Sequence, residues 1–206
     1  MIRIALTKGR IEKDVIGILQ KAGYDMSELE AKGRKLLFRI PNADMEVVLV
    51  KAADVITYVE HGVCDAGVVG KDTIMEMGKS FYEVLDLDRG KCSFALAGPV
   101  GRDFYAGFSH KVIATKYPNV AKKYFNDKGI DVGIVKIDGS VELAPLLGLS
   151  DAIVDIVETG STLKANGLEI YEYIADISAR LIFNKAGIKM KKREADELIT
   201  RITNAL

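Results

Sequence analysis

The segment most able to do chemistry runs from Asp151 to Gly167. An apolar run reaches Asp155 and Glu158, the small-residue turn Thr159-Gly160-Ser161-Thr162 follows, and Leu163-Lys164-Ala165-Asn166 reads as helix stopped by Gly167. A loop of this kind at the carboxyl end of a strand, feeding a helix start, leaves several backbone N–H groups free for a phosphate. Gly160 would let the backbone approach closely, and the hydroxyls of Thr159, Ser161 and Thr162 add donors. No lysine follows the glycine directly, so the Walker pattern is absent and the loop suits a monophosphate. Asp155 and Glu158 beside it could hold ribose hydroxyls or the waters of Mg²⁺, an ion that prefers oxygen ligands and keeps much of its hydration shell. The same grammar also describes a plain capped βα turn with solvated carboxylates.

Opposite charge is concentrated nearer the N-terminus. Lys8, Gly9 and Arg10 follow a first apolar run, Lys51 follows Met45–Val50, and Lys71 follows Val68-Val69-Gly70. Each cation falls at the expected carboxyl end of a strand, where open α/β sheets place their ligands. Together they suit a pyrophosphate or triphosphate; singly each is an ordinary surface charge. His61 precedes Gly62 and reads as a helix end, and His110 sits in a polar turn, so a nucleophilic triad is not expected.

The elements that must carry these residues alternate between short apolar runs and helical periodicity, which predicts an α/β protein with largely parallel sheets. Ile2–Leu6 reads as a strand, Ile11–Ala22 as a helix with Val15, Ile18, Leu19 and Ala22 on one face, and Leu36–Ile40 and Met45–Val50 as strands. An internal echo follows. Asp54 to Gly62 and then Asp65-Ala66 is repeated by Ser140 to Gly148 and then Asp151-Ala152, each copy offering a cap, a helix, a glycine stop and a strand start. Ile4-Ala5-Leu6-Thr7-Lys8 is matched by Val112-Ile113-Ala114-Thr115-Lys116. Two similarly built lobes are expected: residues 1–88 plus 177–206, and residues 89–176 carrying the phosphate loop. The chain would cross near Val84–Cys92 and return near Ile174–Ile182, and two such crossings make a cleft. A last helix from about Lys191 sets Ala195, Leu198, Ile202 and Ala205 on one face.

Whole-chain properties narrow the classes. The 206 residues are 49% hydrophobic and 28% charged, with 29 basic and 29 acidic side chains, so no global field draws the chain to nucleic acid or an anionic membrane. Cys64 and Cys92 form no CxxC pair, which argues for free thiols in a reducing compartment. No run is long enough to cross a bilayer and the start does not read as a signal peptide, so a cytoplasmic location is expected.

Over nearly its whole length the sequence resembles ATP phosphoribosyltransferase. The likeness is carried by Ala5-Leu6-Thr7-Lys8-Gly9-Arg10, by Asp65-Ala66-Gly67-Val68-Val69-Gly70-Lys71-Asp72, and above all by Gly139-Ser140-Val141-Glu142-Leu143-Ala144-Pro145 through Asp155 to Gly167. The resemblance implies a two-lobed periplasmic-binding-protein-like (type II) α/β architecture, each lobe a mixed, mainly parallel sheet flanked by helices. It implies transfer of the phosphoribosyl group of phosphoribosyl pyrophosphate (PRPP) to N1 of ATP, the first step of histidine biosynthesis. By the same resemblance Thr159, Gly160, Ser161 and Thr162 would hold the donor's 5′-phosphate, with Asp155 and Glu158 near the ribose and Asp155 also serving Mg²⁺ directly or through water. Lys8, Gly9, Arg10, Lys51, Lys71 and Glu142 would serve the nucleotide or pyrophosphate. Lys51 and Ser93 stand where the family commonly has arginine, a point charge and a hydroxyl in place of bidentate forks. The resemblance is to the short form, which implies a regulatory subunit similar to histidyl-tRNA synthetase and catalytic dimers within a hetero-oligomer.

Overall fold

In a computed structural model, residues 1–78, 80–107 and 110–206 are described, without the side chain of Arg10. The chain forms two compact units, Met1–Gly90 with Ser178–Leu206, and Lys91–Ile177. The first stretch contributes β1 (Ile2–Thr7), α1 (Arg10–Lys21), α2 (Ser27–Glu30), β2 (Leu37–Arg39), β3 (Met45–Val50), α3 (Ala52–Glu60), β4 (Ala66–Gly70), α4 (Lys71–Met77) and β5 (Tyr82–Asp86). The second unit follows with β6 (Cys92–Pro99), β7 (Lys111–Thr115), α5 (Pro118–Asp127), β8 (Val132–Lys136), α6 (Leu143–Leu146), β9 (Ala152–Val157), α7 (Ser161–Ala165) and β10 (Leu168–Ile177). β11 (Ala179–Phe183), α8 (Gly187–Met190) and α9 (Lys192–Ala205) complete the first unit.

The first unit holds a six-stranded sheet in the order β2-β3-β1-β4-β11-β5, and the second a five-stranded sheet in the order β10-β6-β9-β7-β8. Parallel pairing joins β3, β1 and β4 in the middle of the first sheet and β9, β7 and β8 at one end of the second. Antiparallel strands extend both sheets, because β5, β6, β10 and β11 enter beside strands already running the other way. The expected parallel core is therefore present but mixed. All ligand-rich turns named above follow parallel strands, at the carboxyl edge of their own sheet.

Periodic apolar positions explain the packing. Val15, Ile18 and Leu19 of α1 and Ala195, Leu198 and Ile202 of α9 are buried in one cluster with Ile4, Leu6 and Val68 of the sheet. On the other sheet face, Val55, Ile56 and Val59 of α3 pack with Ala5 and Val69. A β-carbon on Gly67 would lie 2.6 Å from Val55 and 2.9 Å from Val59, so this glycine is what lets α3 sit down on β4. α3 starts at Ala52 with Lys51 at its N-cap, three residues before the expected Asp54, and α6 starts at Leu143 rather than after Ser140. Neither cap residue makes a side-chain capping bond; burial of the apolar face fixes these starts.

The internal echo is written into hydrogen bonds. Arg3 N–H donates to Asp65 Oδ2 at 2.8 Å and Asp65 N–H to Arg3 O at 2.9 Å; Val112 N–H donates to Asp151 Oδ2 at 2.8 Å and Asp151 N–H to Val112 O at 2.8 Å. At the far ends of these strands the Thr7 hydroxyl donates to Val68 O at 2.9 Å and the Thr115 hydroxyl to Val154 O at 2.6 Å. Register corrects the sequence match by one residue. Ile4 lies beside Ala66 and Ile113 beside Ala152, so Ile113, not Val112, is the counterpart of Ile4. The two threonines nonetheless reach equivalent carbonyls.

A polar staple closes the second unit. Glu172 accepts from Lys128 Nζ at 2.6 Å, from the Tyr124 hydroxyl at 2.5 Å and from the Tyr105 hydroxyl at 2.8 Å. The Lys128 ammonium, then the Tyr124 hydroxyl, hold the Glu172 carboxyl at about 2, against an ordinary 4.5. A depressed carboxyl pKa stabilises the fold fully above the unfolded value and loses that contribution as pH falls towards the folded one. Thermal melts of Glu172→Gln and the parent should therefore differ at neutral pH and converge between pH 4.5 and about 2; a gap that does not change with pH would contradict this.

Among the described residues, no helix is long and apolar enough to cross a membrane.

Candidate functional site

The phosphate-loop segment is rooted on both sides in one apolar cluster. Val157 before the turn, Leu163 within α7 and Leu168 after it are buried together with Val141 and Ala144, which flank Glu142. Between Val157 and Leu163, Glu158, Thr159, Ser161 and Thr162 are exposed and Gly160 is half-buried. Gly160 takes φ +72 at the start of α7, a left-handed conformation that side chains resist. The turn keeps donors available. The Thr159 and Ser161 hydroxyls share a hydrogen bond at 2.9 Å, and Ser161 N–H reaches only the Thr159 hydroxyl at 3.4 Å. Among the described residues, the N–H groups of Gly160, Thr162 and Leu163 meet no acceptor, and neither does the Thr162 hydroxyl. Lys164 N–H closes the first helical bond onto Gly160 O.

Asp155 stands two residues before the end of β9, half-buried. Burial raises its pKa above the ordinary carboxylate value; a hydrogen bond from Ile156 N–H opposes the rise, the Glu142 charge adds to it, and the Lys116 ammonium opposes it. Glu142 and Asp155 belong to the same unit and lie close enough for their charges to interact. The preceding Ser140 has φ +50, a conformation uncommon outside glycine, and its carbonyl accepts from Leu143 N–H at 3.2 Å. Strain of this kind marks positions that the surrounding structure holds in place.

The first unit places Lys8, Lys51 and Lys71 just past β1, β3 and β4. Lys8 N–H donates to Val50 O at 2.9 Å, tying the first two turns together. Lys8 and Lys51 are exposed and form no ion pair among the described residues. The Lys71 ammonium pairs with Glu83 at 2.6 Å, and Glu83 also faces Arg180. Gly9, at φ +113, makes the turn into α1, and its N–H is taken by buried Glu12, itself paired with Lys32. The Arg10 side chain lies outside the described residues. His61 terminates α3, and His110 faces Asp131 at 3.8 Å, so neither joins these groups. Lys116, just past β7 in the second unit, was not among the expected site residues, although the two Thr-Lys dipeptides match.

The ATP phosphoribosyltransferase family model, HisG, matches residues 51–204. A Clostridium kluyveri ATP phosphoribosyltransferase is 61% identical over 201 residues, covering 98% of this chain and 92% of that protein. The chain belongs to the ATP phosphoribosyltransferase family. The Listeria monocytogenes serotype 4a member is 56% identical over 205 residues, all of this chain and 96% of that protein. Among solved structures, the ATP phosphoribosyl transferase (HisG:HisZ) complex from Thermotoga maritima contains a chain 36% identical with a TM-score of 0.85, covering 100% of this chain and 98% of that one. The periplasmic aliphatic sulphonate binding protein SsuA from Escherichia coli, 10% identical with a TM-score of 0.60 over 99% of this chain and 72% of its own, shares the fold. Both the α/β periplasmic-binding-protein-like architecture and the family expected from sequence are thereby established for the chain.

Proposed function

We propose that the chain transfers the phosphoribosyl group of PRPP to N1 of ATP, releasing pyrophosphate, in the cytoplasmic first step of histidine biosynthesis. The observation that carries the site assignment is the turn at 159–162, whose unspent N–H groups and hydroxyls surround a left-handed glycine. A 5′-phosphate there would receive backbone donors and the Thr162 hydroxyl, with Ser161 and Thr159 able to turn theirs outward. The ribose then falls towards Asp155 and Glu158, upstream on the same strand and turn.

The adenine N1 lone pair forms the new bond to the anomeric carbon as the bond to pyrophosphate breaks and its electron pair departs with the leaving group. N1 needs no base to expose that lone pair, so catalysis rests on positioning and charge. Positive charge that develops on the ribosyl ring is favoured by the carboxylates of Asp155 and Glu142. Lys8 and Lys51 have ammonium groups available for the pyrophosphate or nucleotide phosphates; Lys71 would first have to leave Glu83. Gly9 shapes the turn that carries Lys8 and Arg10.

The donor set fits Mg²⁺ brought in on substrate phosphates. Asp155 and Glu142 offer two carboxylates, and the described residues contain no group of three or more His, Cys, Asp or Glu that could cage an ion unaided. Bound there, Mg²⁺ would neutralise the leaving pyrophosphate. Asp155 would hold it directly or through water.

A regulatory subunit similar to histidyl-tRNA synthetase, joined to catalytic dimers in a hetero-oligomer, completes the reading. Support comes from the Thermotoga relative, which was solved in a HisG:HisZ complex. Incubation with ATP, PRPP, Mg²⁺ and pyrophosphatase, with such a subunit present, should yield phosphoribosyl-ATP. Donor hydrolysis without that product, or no turnover, would contradict the assignment.

A further inference from the structure

Lys116 follows Thr115 at the carboxyl end of β7, as Lys8 follows Thr7 at the end of β1, and in both cases the threonine hydroxyl clamps the carbonyl of the neighbouring parallel strand. Thr115 Oγ1 also accepts from Tyr117 N–H at 2.9 Å, so one buried hydroxyl holds the backbone on either side of Lys116. Register pairs Thr115 with Val154, and the residues one step beyond that pair are Lys116 and Asp155. The lysine therefore emerges level with the half-buried carboxylate, at the edge from which β9 runs on to the 159–162 turn.

Its charge is not spent within the protein. Lys116 is exposed and forms no ion pair among the described residues; its ammonium lies 6.0 Å from the Tyr117 ring centroid. Three other lysines of the unit are occupied: Lys128 by Glu172, Lys123 by Asp127, Lys111 by the Ala106 carbonyl. The Lys116 charge is nevertheless felt by Asp155. An unpaired ammonium on a clamped backbone, beside a carboxylate and a turn rich in free N–H groups, is arranged for an anion.

We propose that Lys116 is a further donor-contacting residue, supplying a point charge to a phosphoryl oxygen of PRPP on the second unit. The inference rests on the donor site proposed above and adds a cation to it. A charge-assisted contact at an exposed position predicts that Lys116→Ala weakens PRPP binding about tenfold, while ATP affinity stays within about twofold. Lys116→Arg should recover most of the loss, because charge is retained. The salt dependence of PRPP affinity should also flatten in Lys116→Ala.

Calorimetric titration of the full chain with Mg²⁺-PRPP and, separately, Mg²⁺-ATP reads the parent and both variants, with thermal melts to show that the exposed substitution leaves the fold unchanged. Donor-specific weakening rescued by arginine supports the assignment. Parent-like PRPP affinity in Lys116→Ala, or equal losses for both ligands, overturns it while the parent's own binding leaves the donor site standing. A parent chain that binds no PRPP would overturn the donor site and this inference together.

Discussion

Replacing Thr159 and Thr162 together by alanine is expected to weaken PRPP binding by about 10² to 10⁴-fold. Each hydroxyl would lose a hydrogen bond to a charged phosphate, which costs about 1.5–3 kcal/mol per bond, and two such losses convert to that range of affinity. Both side chains are exposed, so the fold should survive. The Thr159 substitution also frees the Ser161 hydroxyl from its 2.9 Å partner, but that single group cannot replace the two lost. Calorimetry with Mg²⁺-PRPP measures the effect, and donor affinity within about threefold of the parent would remove the 159–162 turn from the site.

The second large effect belongs to Asp155. Asp155→Asn keeps the shape and hydrogen-bonding capacity of the side chain but removes its charge, so it tests electrostatics in isolation. Losing a preorganised charge aimed at a developing cation should lower kcat by about 10²-fold, on the scale found when one electrostatic stabiliser is deleted. PRPP affinity should change less than kcat, since the positive ring charge develops only on the way to the transition state. Steady-state kinetics resolve the two. Unchanged kcat with a raised KM would instead make Asp155 a ground-state ribose contact.

Much of this was legible in the residues because local chemistry and tertiary structure agree there. The apolar runs at Ile2–Leu6 and Met45–Val50 are strands since both sheet faces are covered, and α9 declares its packing face through Ala195, Leu198 and Ile202. The repeated Asp-Ala strand start was readable for the same reason: each aspartate bonds the backbone of the adjacent strand. What sequence did not reveal depends on distant partners. Lys71 looked like its neighbours until β5 brought Glu83 against it. The interaction of Glu142 with Asp155 follows from how α6 packs on the second sheet, which spacing along the chain does not encode. The left-handed backbone at Ser140 carries no glycine to announce it. The helix start at Ala52 was missed because Asp54 has the chemistry of a cap, while burial of Val55, Ile56 and Val59 sets the boundary earlier.

The most direct measurement is the amide proton spectrum of the turn during titration with Mg²⁺-PRPP. Phosphate capture at 159–162 predicts that the N–H resonances of Gly160, Thr162 and Leu163 move strongly downfield and saturate at the donor concentration that saturates calorimetry. Saturated binding with those three resonances unmoved would place the donor's phosphate elsewhere on the protein.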